Sequence, residues 1–269
     1  MSDDPVPTGI IITGSRERPT PPEAEWWASR LEGRIVQRGR WSLKELAERH
    51  GAWGVLVIQA HRVTFYVPAE DVEYFYHPGM ARRRVRNVAK GMGDPMVTAM
   101  SLRVGDRVLD CTLGRGTDAT IASLVVGEEG RVVGVESVPV VAALTEQGLK
   151  TFDSGVGEVN QAMARIEVVC ADNADYLAAA EPSSFDVVYF DPLFDRPVEA
   201  SSAMVPLRAL ADARALTREV LDLARRVARR WVVVKQRRDS PLWQDMVPEG
   251  IVRGHHSSIE YGRFAPTPR

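Results

Sequence analysis

Cysteine is scarce in this 269-residue chain, with two residues, Cys111 and Cys170. Each stands at the end of an apolar run, where a reduced thiol behaves as a small hydrophobe, so both are expected in the core and a disulfide scaffold is excluded. No Cys/His spacing of the kind that holds a metal occurs, and His255 and His256 read as surface residues. No run approaches the roughly 18 apolar residues of a membrane span. The opening MSDDPVPTG has neither a basic nor an apolar leader region. The expectation is a cytoplasmic protein with no membrane and no metal among its partners. A strong charge of one sign is also missing. The net charge of -2 gives no global attraction to nucleic acid, so an anionic partner must be met by a local basic patch. Internal repeats and low-complexity segments are absent. What is present is ordinary for a folded protein: 45% apolar and 26% charged residues.

The chain divides by pattern into three parts. Residues 1–75 read as a small α/β domain: the run GIIIT, helices over PPEAEWWASRLEG and SLKELAERHG, and strands WGVLVI and RVTFYV. Ser42, with Glu45 three positions on, forms a capping-box pattern, and Gly51 is placed to end that helix. Residues 76–100 form a basic connecting segment, in which Arg82, Arg83, Arg84, Arg86 and Lys90 precede the first acid, Asp94. Such a patch suits phosphate contacts, which position a nucleic acid while a pocket selects the base. A second cluster, Arg225, Arg226, Arg229 and Arg230, is explained by the preference of cations for helix C-termini.

From residue 101 onward, apolar strands alternate with helical stretches: RVLDC, RVVGVE, IEVVCAD, FDVVYFD and WVVVK. This alternation specifies βαβ units and a parallel, doubly wound sheet covered by helices. GIVRGHH and SSIEYGRF follow as a terminal hairpin. Ligands of such sheets bind beyond the carboxyl ends of the strands. Those ends are acidic here: Asp110, Glu136, Asp172 and Asp191 close four successive strands.

Gly114, Arg115 and Gly116 lie between the first two acids, opening a helix at Thr117. The glycines permit close backbone approach, and the helix start offers free N–H groups. Gly114, Gly116 and Ala119 also satisfy a relaxed dinucleotide fingerprint, with Glu136 where a ribose-binding acid falls. Electrostatics favours another ligand. A pyrophosphate would be repelled by acids crowded on one edge, whereas S-adenosyl-L-methionine carries a sulfonium, an ammonium and a diol, all suited to acidic acceptors. A helix-capping role competes for some of these acids, most directly for Asp172 and Asn173.

The stretch VVYFDPLFDRP places an acceptor (Asp191), a rigid turn (Pro192) and an aromatic face (Phe194) at one strand end. Proline fixes φ and lacks an N–H, which leaves neighbouring carbonyls outward. Phe194 offers a stacking surface for a planar base, and an exocyclic amine on that base can donate to Asp191 and to the Pro192 carbonyl. The chemistry indicated is transfer to an aminated nucleobase, with Asp191, Pro192 and Phe194 as catalytic residues. Lys235, ending WVVVK, either reaches this edge or is solvated.

DCTLGRGTDA, VESVPVVAALTEQGLK, FDVVYFDPLFDRP and WVVVKQRR, preceded by HPGMARRRV, together resemble the ribosomal small subunit methyltransferase J family. That family methylates the N2 amine of a guanine in 16S rRNA. The resemblance implies a class I methyltransferase sheet of seven strands with the last antiparallel. It implies S-adenosyl-L-methionine as cofactor, held by Thr117, Asp118, Glu136, Ser137, Asp172, Asn173 and Asp191 beside Asp110, Gly114 and Gly116. It also implies small-subunit rRNA as partner. A dinucleotide-dependent oxidoreductase, a non-catalytic RNA-binding protein and a small-molecule methyltransferase remain alternative readings of the residues alone.

Overall fold

The computed structural model describes residues 9–16, 20–79, 84–85, 87–88, 91–192, 210, 214–254 and 257–268. Phe194, Arg82, Arg83, Arg86, Lys90, His255 and His256 lie outside these. Two compact units emerge: Met1–Tyr76 with Pro139–Leu144 and Ala200–Ala211, and the remainder. The segment from His77 to Ser101 thus belongs to the larger unit.

The smaller unit contains a five-stranded sheet in the order β2-β1-β3-β4-β5. Its strands are β1 (Gly9–Gly14), β2 (Arg34–Ile35), β3 (Ala52–Ile58), β4 (Val63–Val67) and β5 (Val72–Phe75), with helices α1 (Ala24–Leu31) and α2 (Leu43–His50). The short β2 and the strand β5 were not marked by the apolar pattern. Helix α2 starts where its sequence says it should: the Ser42 hydroxyl accepts from the Glu45 N–H, and the Glu45 carboxylate accepts from the Ser42 N–H at 2.8 Å. Gly51 ends the helix with φ of 59°. Ile11, Leu46, Ala47, Val55 and Val57 form the core between this helix and the sheet.

In the larger unit, α3 (Pro95–Met100) precedes β6 (Arg107–Asp110), α4 (Thr117–Val126), β7 (Arg131–Glu136) and, from Thr145 onward, α5 (Pro139–Thr151). Next come α6 (Gly157–Ala164), β8 (Glu167–Cys170), α7 (Asn173–Ala179) and β9 (Phe185–Phe190). The chain continues with α8 (Arg218–Val227), β10 (Ala228–Arg237), α9 (Leu242–Asp245), β11 (Gly250–Arg253) and β12 (Ile259–Phe264). The seven strands run β11-β12-β10-β9-β6-β7-β8. Strands β6 to β10 are mutually parallel, and β12 is antiparallel to both of its neighbours. This is the class I methyltransferase arrangement, with the last strand reversed.

Val, Ile and Leu fill the central strands because both faces are covered. One face buries Leu109, Val133, Val188, Val232 and Val234 against Leu177, Leu221, Ala224 and Val227. The other is covered by α4, which is buried almost all round its axis, as a helix without a polar face must be. Helix α8 is amphipathic: Leu221, Ala224 and Val227 point inward, while Arg225 and Arg226 lie in its last turn. Cys111 is buried as expected, but Cys170 is exposed, because β8 is the edge strand and its end is not covered. Among the described residues, no helix is long and apolar enough to cross a membrane.

Candidate active site

Parallel pairing carries the ends of β6, β7, β8 and β9 to one rim of the sheet, and the four acids arrive there together. Their environments differ sharply. Asp110 is 2% exposed and accepts from the Thr112 N–H at 3.0 Å. Burial, reinforced by Asp118 and Asp191 nearby, pushes its carboxyl up to about 8, against the pull of the Thr112 N–H. At neutral pH Asp110 is therefore mostly a neutral acid and presents little charge to the rim.

Glu136 is held by backbone. One carboxylate oxygen accepts from the Gly114 N–H at 3.0 Å and the other from the Val138 N–H at 2.9 Å. These bonds tie the glycine turn to the end of β7. An ionised carboxylate offers about four lone-pair sites, more than the two that this clamp uses. Gly114 and Gly116 adopt φ of 50° and 67°, a left-handed conformation that glycine takes without strain. A Cβ at Gly116 would also sit 3.3 Å from the end of the Leu149 side chain, which would have to give by a few tenths of an ångström. The Thr145 hydroxyl secures the Gly114 carbonyl at 2.7 Å, and the Thr117 hydroxyl donates to the Pro78 carbonyl at 3.0 Å.

Asp172 behaves as the capping alternative required. Its carboxylate accepts from the N–H groups of Ala174 and Asp175, at 2.8 and 3.1 Å, at the start of α7. It also pairs with Arg214 at 2.6 Å. Burial works to raise its carboxyl, but these donors and Arg214 hold it below the ordinary value. Asn173 donates to the Cys111 carbonyl at 3.3 Å, linking the ends of β8 and β6. Ser137 lies beside Glu136, half-buried.

Asp191 lies at the centre of a charged cluster. Its N–H donates to the Thr112 hydroxyl at 2.6 Å, which fixes the backbone as it leaves β9. Its carboxylate accepts from Lys235 at 2.6 Å. Lys235 also reaches Asp118 at 3.3 Å, and the Tyr189 hydroxyl donates to Asp118 at 2.7 Å. Arg84 pairs with Asp118 and grips both oxygens of Asp94, at 2.9 and 3.0 Å. Asp94 in turn caps α3, with Pro95 following it at the first helical position.

Two expectations change here. Arg84 is no free phosphate contact, because it is committed to two carboxylates within the fold. Asp118 is first of all an internal counter-ion: burial would raise its carboxyl, but Lys235 and Arg84 draw it well below the ordinary value. Lys235, in turn, is kept charged: burial works to lower it, and Asp118 and Asp191 override that. Its place was readable from register. Val234 pairs with Phe190, so the next residues along the two parallel strands, Lys235 and Asp191, must be neighbours. Tyr189 precedes Asp191 by two positions and so shares its side of β9. Thr112 and Asp94 carried no distinguishing signal beyond their place after a strand and before a proline.

Pro192 lines a cavity of about 180 Å³ with Ala215, Leu216, Gln236, Pro241, Leu242, Asp245 and Met246. No group of three or more His, Cys, Asp or Glu side chains suited to a metal occurs among the described residues.

The family model described as "Putative SAM-dependent methyltransferase" matches residues 41–259. The chain belongs to this family of S-adenosyl-L-methionine-dependent methyltransferases. Over 214 residues, covering 80% of this chain and 82% of the relative, it is 40% identical to the uncharacterized protein YpiP of Bacillus subtilis. It is 36% identical over 201 residues, covering 71% and 67%, to ribosomal RNA small subunit methyltransferase J of Laribacter hongkongensis. The fold is shared with the crystal structure of the SAM-dependent methyltransferase NGO1261 from Neisseria gonorrhoeae, with a TM-score of 0.61, 20% identity and 96% of both chains covered. S-adenosyl-L-methionine is thus the cofactor. The residues present suit it: a tight left-handed turn at Gly114 and Gly116, a carboxylate at Glu136, and cations at the rim, Lys235, Arg84 and Arg214, that are each paired with a carboxylate. Thr117, Asp118 and Ser137 stand around that turn.

Proposed function

We propose that the protein methylates the exocyclic amine of an RNA base, namely guanine N2 in small-subunit rRNA. The observation that carries this reading is the exit of β9: the Asp191 carboxylate, on backbone fixed by Thr112 and itself paired with Lys235, followed at once by Pro192. The relatives named ribosomal RNA small subunit methyltransferase J, from Laribacter hongkongensis at 36% identity and Cellvibrio japonicus at 29%, support rRNA as the substrate class.

When bound, S-adenosyl-L-methionine supplies an electrophilic methyl group, which passes to the amine nitrogen as the carbon–sulfur bond breaks. The chain's own residues prepare the amine. Asp191 accepts an N–H hydrogen bond from it and so turns the nitrogen lone pair toward the methyl carbon. Burial raises the Asp191 carboxyl although Lys235 draws it down, which suits it to take the proton that the nitrogen sheds. Phe194 provides the stacking face, and Glu136 holds the ribose of the cofactor. A base paired in a helix cannot reach such an edge, so the target is unpaired or turned out of its stack. Arg82, Arg83, Arg86 and Lys90 contact phosphates in this reading, while Arg84 serves the site from within.

The test is transfer of labelled methyl from S-adenosyl-L-methionine to small-subunit rRNA, with the modified nucleotide mapped. Labelled N2-methylguanine is expected. Asp191→Ala should cost about 100-fold in rate, with S-adenosylhomocysteine affinity retained. Label on another base or on no RNA, or full activity in Asp191→Ala, would contradict the reading.

A further inference from the structure

The amine acceptor does not stand alone, and the groups behind it form an ordered chain. Arg84 is gripped by Asp94 at the start of α3 and pairs with Asp118 in the first turn of α4. Asp118 also accepts from Tyr189 on β9 and contacts Lys235 on β10, which in turn touches Asp191. Two cations and three carboxylates thus alternate from Asp94 to Asp191. A lysine that merely filled a buried corner would need only one partner. Here the ammonium is held by two carboxylates, and Asp191, directly after β9, is the more exposed of them, at 29% against 10% for Asp118.

We propose that Lys235 is a positioning residue: anchored through Asp118 and Arg84, it holds the Asp191 carboxylate charged and aimed at the place where the target amine donates. This rests on the reading of Asp191 as amine acceptor. Lys235 is excluded as the base, because an ammonium between two carboxylates keeps its proton. A carboxylate in this setting is pressed toward neutrality by burial and by Asp118 on α4, while Asp110 on β6, itself pushed toward its neutral form, adds little charge. Tyr189 on β9 and Tyr261 on β12 face the cluster as neutral phenols, since burial and the acids raise both. Lys235 and Arg84 supply the positive charge that opposes this pressure on Asp191. A neutral Asp191 would offer the amine a poorer acceptor and could no longer receive its proton.

The test combines two readouts on the full chain. Carbon-13 NMR of aspartate carboxyls, with Asp191 assigned through Asp191→Asn, gives its titration midpoint in wild type, Lys235→Met and Lys235→Arg. The pH profile of kcat for methyl transfer to rRNA is recorded for the same proteins. In Lys235→Met the midpoint should rise by about one pH unit or more, a roughly tenfold change in proton affinity. The acid limb of kcat should move upward with it, and KM for RNA should change far less than kcat. Lys235→Arg should keep the wild-type midpoint and recover most of the rate. If Lys235→Met does not bind S-adenosylhomocysteine, Lys235→Gln takes its place, with the same upward shift expected. A midpoint and acid limb that coincide with wild type once the charge is gone overturn the proposal. Wild-type protein that methylates no RNA would instead sink the reading of the substrate, and the NMR midpoint would still decide the role of Lys235.

Discussion

The outer half of the rim, at β7 and β8, and the inner half, at β6 and β9, carry the same type of side chain at the same topological place. Glu136 and Asp172 are satisfied by backbone N–H groups and keep contact with solvent, so their charge costs little to maintain. Asp110 and Asp191 stand beside Asp118, Asp110 fully buried and Asp191 with 29% of its side chain exposed. There a cation makes the difference: Lys235 draws the Asp191 carboxyl down against burial, whereas no cation among the described residues pairs with Asp110, which is pushed toward its neutral form. The comparison teaches that a carboxylate at a strand end is only a position. Desolvation and counter-charge decide whether it caps, clamps a turn, accepts a substrate or stays protonated.

Breaking the inner half should cost most. Arg84→Met leaves Asp94 and Asp118 without their shared cation, and removal of one partner from such a buried pair costs about 3–5 kcal/mol. Denaturant unfolding of the variant checks this, and a loss below about 1 kcal/mol would show that solvent already screens the pair.

Asp110 sharpens the contrast through pH. Its folded-state value of about 8 lies above that of an unfolded aspartate, near 4. Between those values the folded state binds more protons, so its contribution to stability is complete below about pH 4 and declines until about pH 8. Asp110→Asn should remove that decline and gain on wild type as pH rises through this window. Melting temperatures measured across it give the slope, and parallel curves would contradict the assignment.

The outer half predicts smaller effects. Asp172→Ala removes the cap of α7 and should cost about 1 kcal/mol, read by chemical denaturation. At the opposite ends of β7 and β8, away from the rim, Arg131→Ala breaks an exposed pair with Glu167 at 2.6 Å and should cost less than about 1 kcal/mol, falling further in high salt. A larger loss there than at Asp172 would invert the ranking.

Much of this was legible in the residues. Alternating apolar strands and helical stretches specify the parallel sheet, and strand-end acids specify the rim, because strand period and βαβ connection act locally. The terminal hairpin of β11 and β12 followed from the two short stretches at the C-terminus. Less legible was the use made of each charge. Arg84 lies 34 residues from Asp118, and Lys235 lies 44 from Asp191, so their pairing depends on tertiary approach that no local pattern contains. A run of arginines looks like a surface whether or not one of them turns inward. Cys170 looked like a core residue because an edge strand has the same apolar composition as a central one.

Glu136 tests the central claim, that this rim receives the cofactor, most directly. Calorimetric titration of S-adenosylhomocysteine into wild type and Glu136→Ala removes the acceptor and its clamp on the Gly114 turn while leaving the Asp191 cluster in place. Affinity at least about tenfold weaker in the variant is predicted, the equivalent of a lost charged hydrogen bond of roughly 1.5–3 kcal/mol. Equal affinity in the two proteins would place the cofactor elsewhere and contradict the account.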